Sequence, residues 1–412
     1  MTSASRSPRA SLLAYASIAV ATRSATEALG PALLLTAIAS GRTATEGAVV
    51  LAGLMALAAL SGPLVGALLD RAAKPGHVIA MSVAALAVVV AAMSVLLPRA
   101  PIPILVVIAM LGGLAYPAIQ GGLTSQLPSM VSGSMLDRAY AIDASTYNIG
   151  AIVGPPLAAA AVILGAPGPV LFTLVLLLCS LVVIRRVPFA VRPHRIRGHS
   201  LRRDLVTGFH ALGRTTSLAV TTLITTIGHG GQAAFLVAVP LVALKLTGSL
   251  AMSGAAFGAE AAGGIAATLL LARRPFRHPD LAVVTMTGLI GLSLGVMAVT
   301  TSFTLLVVAS VALGAGNGPM ITAMFRIRAR ESAPEVRAQV FTTGASVRTT
   351  IYAAMTAAFG AMVALGPHMI FAVGAGLQVA ALAGGAIVAK HGTGRALIGK
   401  AAVEPAESIA PD

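Results

Sequence analysis

Twelve apolar stretches follow one another along this chain, separated by short polar segments. Most of them reach the ~20 residues with which an α-helix crosses a hydrocarbon core of ~30 Å. The pattern therefore predicts an all-α membrane protein with twelve transmembrane helices. Their predicted bounds are Ser11–Ser40, Thr45–Leu69, His77–Leu97, Ile102–Gln126, Ala139–Leu164, Pro169–Ile184, Ser217–Leu246, Ala251–Leu271, Leu281–Thr301, Phe303–Phe325, Ala338–Leu365 and His368–Ala389.

Composition and charge agree with this interpretation. Charged residues make up 10% of the chain, against roughly 25% in a typical soluble domain. Of the 28 lysines and arginines, 23 lie in segments on one side of the predicted membrane, and only Arg42, Arg99 and Lys245 lie on the other. By the positive-inside rule both termini are predicted to be cytoplasmic. The excess positive charge thus follows from membrane topology and does not indicate a nucleic-acid partner.

The N-terminus admits a second interpretation. Arg6 and Arg9 followed by an apolar run are also typical of a secretory signal, cleaved here near Ala25. Cleavage would leave eleven spans and break the pairing of halves described next, so we favour a retained first helix. Scarce lysine and alanine-rich helices are typical of a GC-rich bacterial genome, which would place the protein in the cytoplasmic (inner) membrane.

A repeat of about 200 residues divides the chain. The run Leu111–Pro117 recurs as Leu313–Pro319 at an offset of 202, and Gly41 matches Gly248 at 207. Two parallel repeats of six helices are typical of transporters that rock around a central site. The predicted divisions are an N-terminal half at 1–187, a central loop at 188–216, a C-terminal half at 217–390 and a cytoplasmic tail at 391–412.

The central loop has a helical pattern of its own. Leu201, Leu205, Phe209 and Leu212 recur at spacings of four, four and three. This pattern predicts a short amphipathic helix on the inner membrane surface, with its arginines facing anionic lipid headgroups.

One loop carries a family signature. The segment from Gly62, GPLVGALLDRAAKPGH, resembles the loop between the second and third helices of the major facilitator superfamily, with Gly66, Asp70 and Arg71 at its glycine, aspartate and arginine positions. Ala73 replaces a usual glycine. The resemblance implies the major facilitator fold, transport by alternating access, and a gating role for Gly66, Asp70 and Arg71.

A second signature lies in the fifth span. Gly150, Gly154 and Pro155 stand in a segment that resembles the fifth-helix motif of the superfamily's antiporters, although two alanines replace its final glycines. Glycines four apart permit close helix approach, and proline can bend a helix. The resemblance implies efflux, whereas a packing seam with no directional meaning is the alternative. Many proton-coupled exporters of the family carry an arginine where this chain has Leu105.

Charged residues inside the spans are the candidate functional groups. Arg23 and Glu27 lie one helical turn apart near the middle of the first span, and Glu260 lies in the eighth. Each such charge costs roughly 2.5 to 3.5 kcal/mol to insert, so it marks either a cavity or a buried pair. Arg23 is expected to hold Glu27 ionised, whereas burial without a cation in its own helix favours protonated Glu260. Glu260 is therefore slightly ahead of Glu27 as the proton carrier, although the family resemblance favours Glu27.

Other polar residues lie at similar depth. Arg348 in the eleventh span could bind an anion or form a static salt bridge, and the repeat places Tyr147 or Asn148 at about the same height in the fifth span. His229 and Gln232 lie near the repeat equivalent of Arg23 in the seventh span, and a packed histidine is the simpler interpretation. The full predicted substrate cavity is Arg23, Glu27, Tyr147, Asn148, His229, Gln232, Glu260, Asn317 and Arg348.

These features predict a secondary transporter for a small organic solute, working by efflux through proton antiport. Proton-driven uptake of a metabolite and a non-transporting receptor or scaffold are the alternatives. No nucleophile-and-base set or metal motif occurs, so we expect neither an enzyme nor a cofactor. The expected partners are the solute, protons and membrane lipids, with no nucleic acid, and the resemblance implies a monomer. The intramembrane charges Arg23, Glu27, Glu260 and Arg348 sum to zero, which favours neither cationic nor anionic solutes.

Overall fold

A computed structural model describes residues 8–131, 134–185, 187, 189, 210, 212–273, 277–332 and 337–401. Twelve long helices make up most of this part of the chain, which confirms the predicted all-α fold. In chain order they are α1 Pro8–Ala39, α2 Ala44–Arg71, α3 Pro75–Leu96, α4 Ile102–Pro117, α5 Ser134–Ala160, α6 Gly168–Ile184, α7 Thr216–Thr247, α8 Ser253–Arg273, α9 Pro279–Val299, α10 Phe303–Glu331, α11 Arg337–Ala361 and α12 Pro367–Ala401.

Three helix ends differ from the predicted spans by more than five residues. Helix α4 ends at Pro117 and continues as a π-helical turn, Ala118–Gly122, because proline cannot donate the next helical hydrogen bond. Helix α10 runs on to Glu331, past the predicted end at Phe325, and α12 runs on to Ala401. Arginine and polar residues interrupt the apolar run in both segments without ending the helix, so hydropathy alone does not reveal these extensions.

Eight of the described helices are long and apolar enough, by length and composition, to cross a membrane. Two further helical segments, Ala44–Leu57 and Gly168–Ile184, are apolar but shorter. Helix α1, which carries Arg23 and Glu27, is not among these ten. Its place in the bundle depends on its neighbours, because a helix with two central charges needs partners for them.

The helix contacts repeat between the two halves. In the N-terminal half α1 packs on α5 and α6, α2 packs on α4, and α3 packs on α6; α7 to α12 repeat these pairings. Four glycines with positive φ repeat as well: Gly41 at 82° corresponds to Gly248 at 72°, and Gly165 at 101° corresponds to Gly366 at 92°. Positive φ, which glycine adopts without strain, thus recurs after matching helices in both halves.

The two halves meet along α2 with α11 and α5 with α8. Even-numbered helices finish at one end of the bundle, and most Lys and Arg residues lie in the segments at that end. We call it the basic end. At the opposite end Thr45 Oγ1 donates to the carbonyl of Gly360, and a Cβ at Gly360 would lie 2.5 Å from that of Ala48. A Cβ at Gly254 would lie 2.9 Å from the Pro156 carbonyl oxygen. Small residues therefore bring the halves together at this end.

Glycines also form a seam inside the C-terminal half, between α8 and α10. A Cβ at Gly314 would overlap the carbonyl oxygen of Glu260, and one at Gly263 would overlap that of Val311. A Cβ at Gly318 would lie 2.5 Å from Thr268 Oγ1. The backbones of α8 and α10 are thus in direct contact, as is typical of membrane helix pairs with small residues at the interface.

The close contact between α8 and α10 predicts that one added methyl group lowers the stability of the protein substantially. We expect Gly314→Ala to destabilise the protein by about 3 kcal/mol or more, because the blocking atom belongs to a backbone that cannot rotate away. The matched control is Gly288→Ala on α9, where an added Cβ meets nothing within 4 Å, and which should be neutral or about 0.5 kcal/mol more stable. Thermal unfolding in a mild detergent measures both, and equal midpoints for the two variants would refute the seam.

Candidate functional site

Arg23 is the most extensively bonded charge inside the bundle. Its side chain is fully buried, and its Nη2 lies 2.7 Å from Asp143 Oδ1 on α5. Its Nη1 donates to the backbone carbonyl of Asp143 at 2.7 Å and to Thr146 Oγ1. Nη2 also donates to Thr124 Oγ1 at 2.9 Å. The guanidinium therefore has a carboxylate and three further acceptors around it.

Further groups enclose this pair. Thr124 Oγ1 donates to Asp143 Oδ2 at 2.9 Å, and Tyr15 OH donates to Asp143 Oδ1. The Arg23 guanidinium lies 3.5 Å above the centre of the Tyr147 ring, a cation–π contact that adds to the ion pair. Both oxygens of the carboxylate are thus bonded, which a buried ion pair requires if its attraction is to offset desolvation.

The fifth-helix glycines hold α1 against α5 at this level. A Cβ at Gly150 would lie 3.0 Å from the backbone carbon of Arg23, and one at Gly154 would lie 2.5 Å from the carbonyl oxygen of Ser24. Gly150 and Gly154 therefore act as packing residues that let Arg23 reach Asp143. Pro155 lies within the continuous helix α5, and the neighbouring Pro156 faces Gly254 and Gly258 of α8.

Arg23 was expected to hold Glu27 ionised, but the structure pairs Arg23 with another carboxylate. The salt bridge of Arg23 is with Asp143. An Arg-to-Glu pair at i, i+4 on one helix has the weaker of the two orientations for a helical ion pair. Helix α5 instead presents the Asp143 carboxylate directly to the Arg23 guanidinium. Sequence reasoning placed Asp143 near the cytoplasmic end of the fifth span and assigned it no role.

Glu27 faces the interface between the halves. Its side chain is half-buried beside Gln120 of the π-helical turn. Gln120 Nε2 donates to Thr26 Oγ1 at 3.2 Å and to Tyr116 OH at 3.3 Å, while its backbone carbonyl accepts from Tyr147 OH at 2.9 Å. Tyr147 therefore links the Arg23 cluster to the π-helical turn beside Glu27.

Glu260 lies across from Glu27, on the other half of the molecule. It is half-buried, and Asn317 Nδ2 of α10 donates to its Oε1 at 3.3 Å. A Cβ at Gly154 of α5 would lie 3.3 Å from Glu27 Cβ, and Pro156 of the same helix faces Gly258, two residues before Glu260. The influence of Glu260 on Glu27, and of both on Tyr352 of α11, agrees with this placement. Among the described ion pairs neither carboxylate has a basic partner. Two carboxylates from opposite halves thus share one region between the halves.

A third group of predicted residues lies between α7 and α11. The His229 ring stacks on Tyr352 with centroids 4.6 Å apart, and Gln232 lies beside the histidine. His229 Nδ1 and Gln232 Nε2 are buried without a hydrogen-bond partner in the described structure. Arg348 contacts the sulfur of Met324 at 3.9 Å through Nη1. His229, Gln232 and Arg348 thus lie together, separate from the Arg23 cluster.

Several predicted residues cannot be placed by their side chains. Gly66, Asp70 and Arg71 lie in the helical backbone of α2, but their side chains, like that of Asn148, fall outside the described ones. The amphipathic segment is likewise outside the description except for Leu212, which is buried. The gating role and the surface helix therefore stay predictions.

The site also contains residues that sequence reasoning passed over. They are Tyr15, Tyr116, Thr124, Asp143, Thr146 and Arg328. The available signal was that Asp143 is an acidic residue inside a predicted span. Among the described residues no cluster of three or more His, Cys, Asp or Glu side chains could hold a metal ion.

Comparison with known proteins identifies the fold. The sequence profile of the Major Facilitator Superfamily matches residues 12–367. The structure is similar to that of a POT family transporter solved with a thioalcohol-conjugated peptide, with a TM-score of 0.70, 12% identity, and coverage of 92% of this chain and 95% of that one. It is also similar to the nucleoside transporter NupG, with a TM-score of 0.70, 12% identity, and coverage of 91% and 99%.

The human organic anion transporter MFSD10 is a third similar structure, with a TM-score of 0.64, 16% identity, and coverage of 92% of this chain and 99% of that one. At these identities the likeness establishes the fold alone. A sequence search of curated proteins gave no match.

The Arg23 cluster predicts an asymmetric response to mutation. We expect Asp143→Asn to destabilise the protein by about 3 to 5 kcal/mol, because it leaves a buried guanidinium without its counter-charge. The control is Asp280→Asn, which neutralises the carboxylate partner of Arg330. The Asp280 side chain is 48% exposed, so this change should cost about 1 kcal/mol or less of stability. Thermal unfolding in detergent compares them. The interpretation fails if the two variants lose the same stability.

Proposed function

The chain belongs to the Major Facilitator Superfamily, and we propose that it exports a small organic solute across the cytoplasmic membrane in exchange for protons. Residues 1–187 and 217–390 are the bodies that rock around the central site, with both termini in the cytoplasm. The solute and protons are its partners, in a monomer surrounded by lipid.

The observation that carries this proposal is the pair of carboxylates between the halves. Glu27 comes from α1 and Glu260 from α8, and the two would repel each other if both were ionised. Because the salt bridge of Arg23 is with Asp143, the nearest arginine is already compensated. Two interacting carboxylates in a poorly solvated place do not both stay ionised, so the pair takes up protons in coupled steps.

Protonation of this pair also has a mechanical consequence. The two carboxylates lie on different halves, so their repulsion opposes closure of the cavity between them. A proton bound to either residue removes the repulsion and lets the halves close around the site. A solute that enters from one side and displaces the proton would then be exchanged for it, which is antiport.

The resemblance of the fifth-helix segment to the antiporter motif supports efflux as the direction of transport. Proton-driven uptake would use the same two carboxylates, so only the direction of solute movement separates the two modes. A receptor or scaffold on this fold would have no need of either carboxylate.

Removal of either carboxylate therefore tests coupling. In proteoliposomes with an imposed pH gradient, we expect a transported solute to dissipate the gradient with the wild type and at least tenfold more slowly with Glu260→Gln or Glu27→Gln. A fluorescent pH indicator inside the vesicles measures the rate, with cationic, neutral and anionic solutes tested in turn. Vesicles of one insertion direction give the direction of movement.

The matched control is Glu46→Gln, which changes an acidic residue paired with Arg42 at the opposite end of the bundle and should retain the wild-type rate. If Glu27→Gln and Glu260→Gln both dissipate the gradient at the wild-type rate, the carboxylate pair is not the coupling site. Retained solute accumulation by both variants without any pH response would refute proton antiport.

A further inference from the structure

The C-terminal half contains two arginines whose charge is not compensated in the described part of the chain. Arg328 on α10 is 1% exposed, and its Nε and Nη2 atoms have no hydrogen-bond partner. Arg348 on α11 is half-buried, its Nε is unpartnered, and its polar contact is the weak acceptor sulfur of Met324. The described salt bridges include neither residue.

These two guanidinium groups lie on the same face of α11. A Cβ at Gly344 would lie 2.5 Å from Arg328 Nη2 and 2.6 Å from its Cζ, so the Arg328 guanidinium rests directly on Gly344. Arg348 follows Gly344 by four residues, which places it one turn further along the same face. The Arg328 guanidinium and Arg348 are therefore neighbours along α11.

Burial without compensation is costly for a charge of this kind. Removing an ammonium or guanidinium from water costs several kcal/mol unless an opposite charge and hydrogen bonds replace the lost solvation. Arg23 in the N-terminal half shows the compensated arrangement, with Asp143 and three further acceptors. In the C-terminal half the donors are in place and the acceptor is lacking among the described residues.

More donors continue along the same face of α11. Tyr352 lies one turn beyond Arg348 and stacks on His229 of α7. The charge of Arg348 reaches His229, and Gln232 Nε2 beside it has no partner. The row from Gly344 to Tyr352 therefore presents two guanidinium groups followed by neutral donors. Tyr352 in turn lies within reach of the charges of Glu27 and Glu260, which extends the row to the carboxylate pair.

We propose that the solute carries an anionic group, a carboxylate, phosphate or sulfonate, and that Arg328 and Arg348 form the site that binds it. Two planar guanidinium forks on one face match the geometry of such oxyanions, which accept paired N–H donors. The rest of the solute extends past Tyr352 toward Glu27 and Glu260. This inference rests on the proposed transport function for the identity of the solute, but the anion site itself can be measured without transport.

The test is anion binding to the purified full-length protein in a non-ionic detergent. Thermal unfolding is followed with increasing sulfate, phosphate or benzoate at constant ionic strength, with benzyl alcohol and benzylamine as neutral and cationic counterparts. Ligand that binds only the folded state raises the unfolding midpoint. We expect the anions to stabilise the wild type and benzylamine not to, and we expect Arg348→Gln to bind anions at least tenfold more weakly, the effect of one lost charge-assisted hydrogen bond.

Arg330→Gln is the matched control, because Arg330 lies two residues from Arg328 on the same helix but is exposed and paired with Asp280; it should bind anions as the wild type does. Without added anion, Arg348→Gln should unfold at the wild-type temperature or higher, since it removes an uncompensated charge, whereas a structural arginine would cause a loss. Gly344→Ala, which displaces the Arg328 guanidinium, should weaken anion binding while leaving Arg348 in place.

The proposal is overturned if no anion stabilises the wild type, if Arg348→Gln and Gly344→Ala bind anions as tightly as Arg330→Gln does, or if benzylamine is the stronger ligand. Should Arg348→Gln fail to fold, Arg348→Lys replaces it, because lysine keeps the charge but loses the paired donors and must still bind anions more weakly. These outcomes are independent of the pH-gradient assay. Anion binding with no proton coupling would refute antiport alone, and proton coupling with no anion binding would refute this site alone.

Discussion

The ion pair between Arg23 and Asp143 decides how the rest of the central region is arranged. It joins α1 to α5 at a depth where water cannot solvate either charge, and Thr124, Thr146 and Tyr15 form hydrogen bonds to it, with Arg23 Nε left unpartnered. Two consequences follow. The first helix, which carries two central charges, has one of them neutralised by this pair while it packs on α5 and α6. Glu27 is also left without an arginine partner, and a carboxylate in that condition can exchange protons.

The two halves share one scaffold but use their buried arginines differently. The N-terminal half neutralises its arginine with a carboxylate of its own, whereas Arg328 and Arg348 in the C-terminal half have no such partner among the described residues. With Asp143 and Arg328 added to Arg23, Glu27, Glu260 and Arg348, the buried charges still sum to zero. Their placement does not cancel, however, because carboxylates and uncompensated guanidinium groups lie at different positions around Tyr352. Position, and not net charge, therefore distinguishes the two halves.

The sequence predicted the twelve helices and the two halves correctly, because apolar length and a repeat are properties of the chain itself. It left the partner of Arg23 open, since that partner depends on Gly150 and Gly154 bringing α5 against α1. Arg328 was counted with the loop residues because Arg326, Arg328 and Arg330 interrupt the apolar run. Helix α10 continues through this segment, and its 3.6-residue period buries Arg328 while exposing its two arginine neighbours.

Transport by rocking requires rigid halves and an interface that separates easily, and the placement of glycine meets both needs. Within each half, glycines put backbone against backbone: Gly154 of α5 packs on α1, and Gly314 of α10 packs on α8. These helix pairs therefore cannot slide without collision. Between the halves, the contacts at the end opposite the basic one involve Ala48 with Gly360 and Pro156 with Gly254. Small side chains pack closely but do not interlock, and Thr45 supplies a single hydrogen bond to Gly360 there. Opening at this end would therefore separate small side chains without first disengaging large ones.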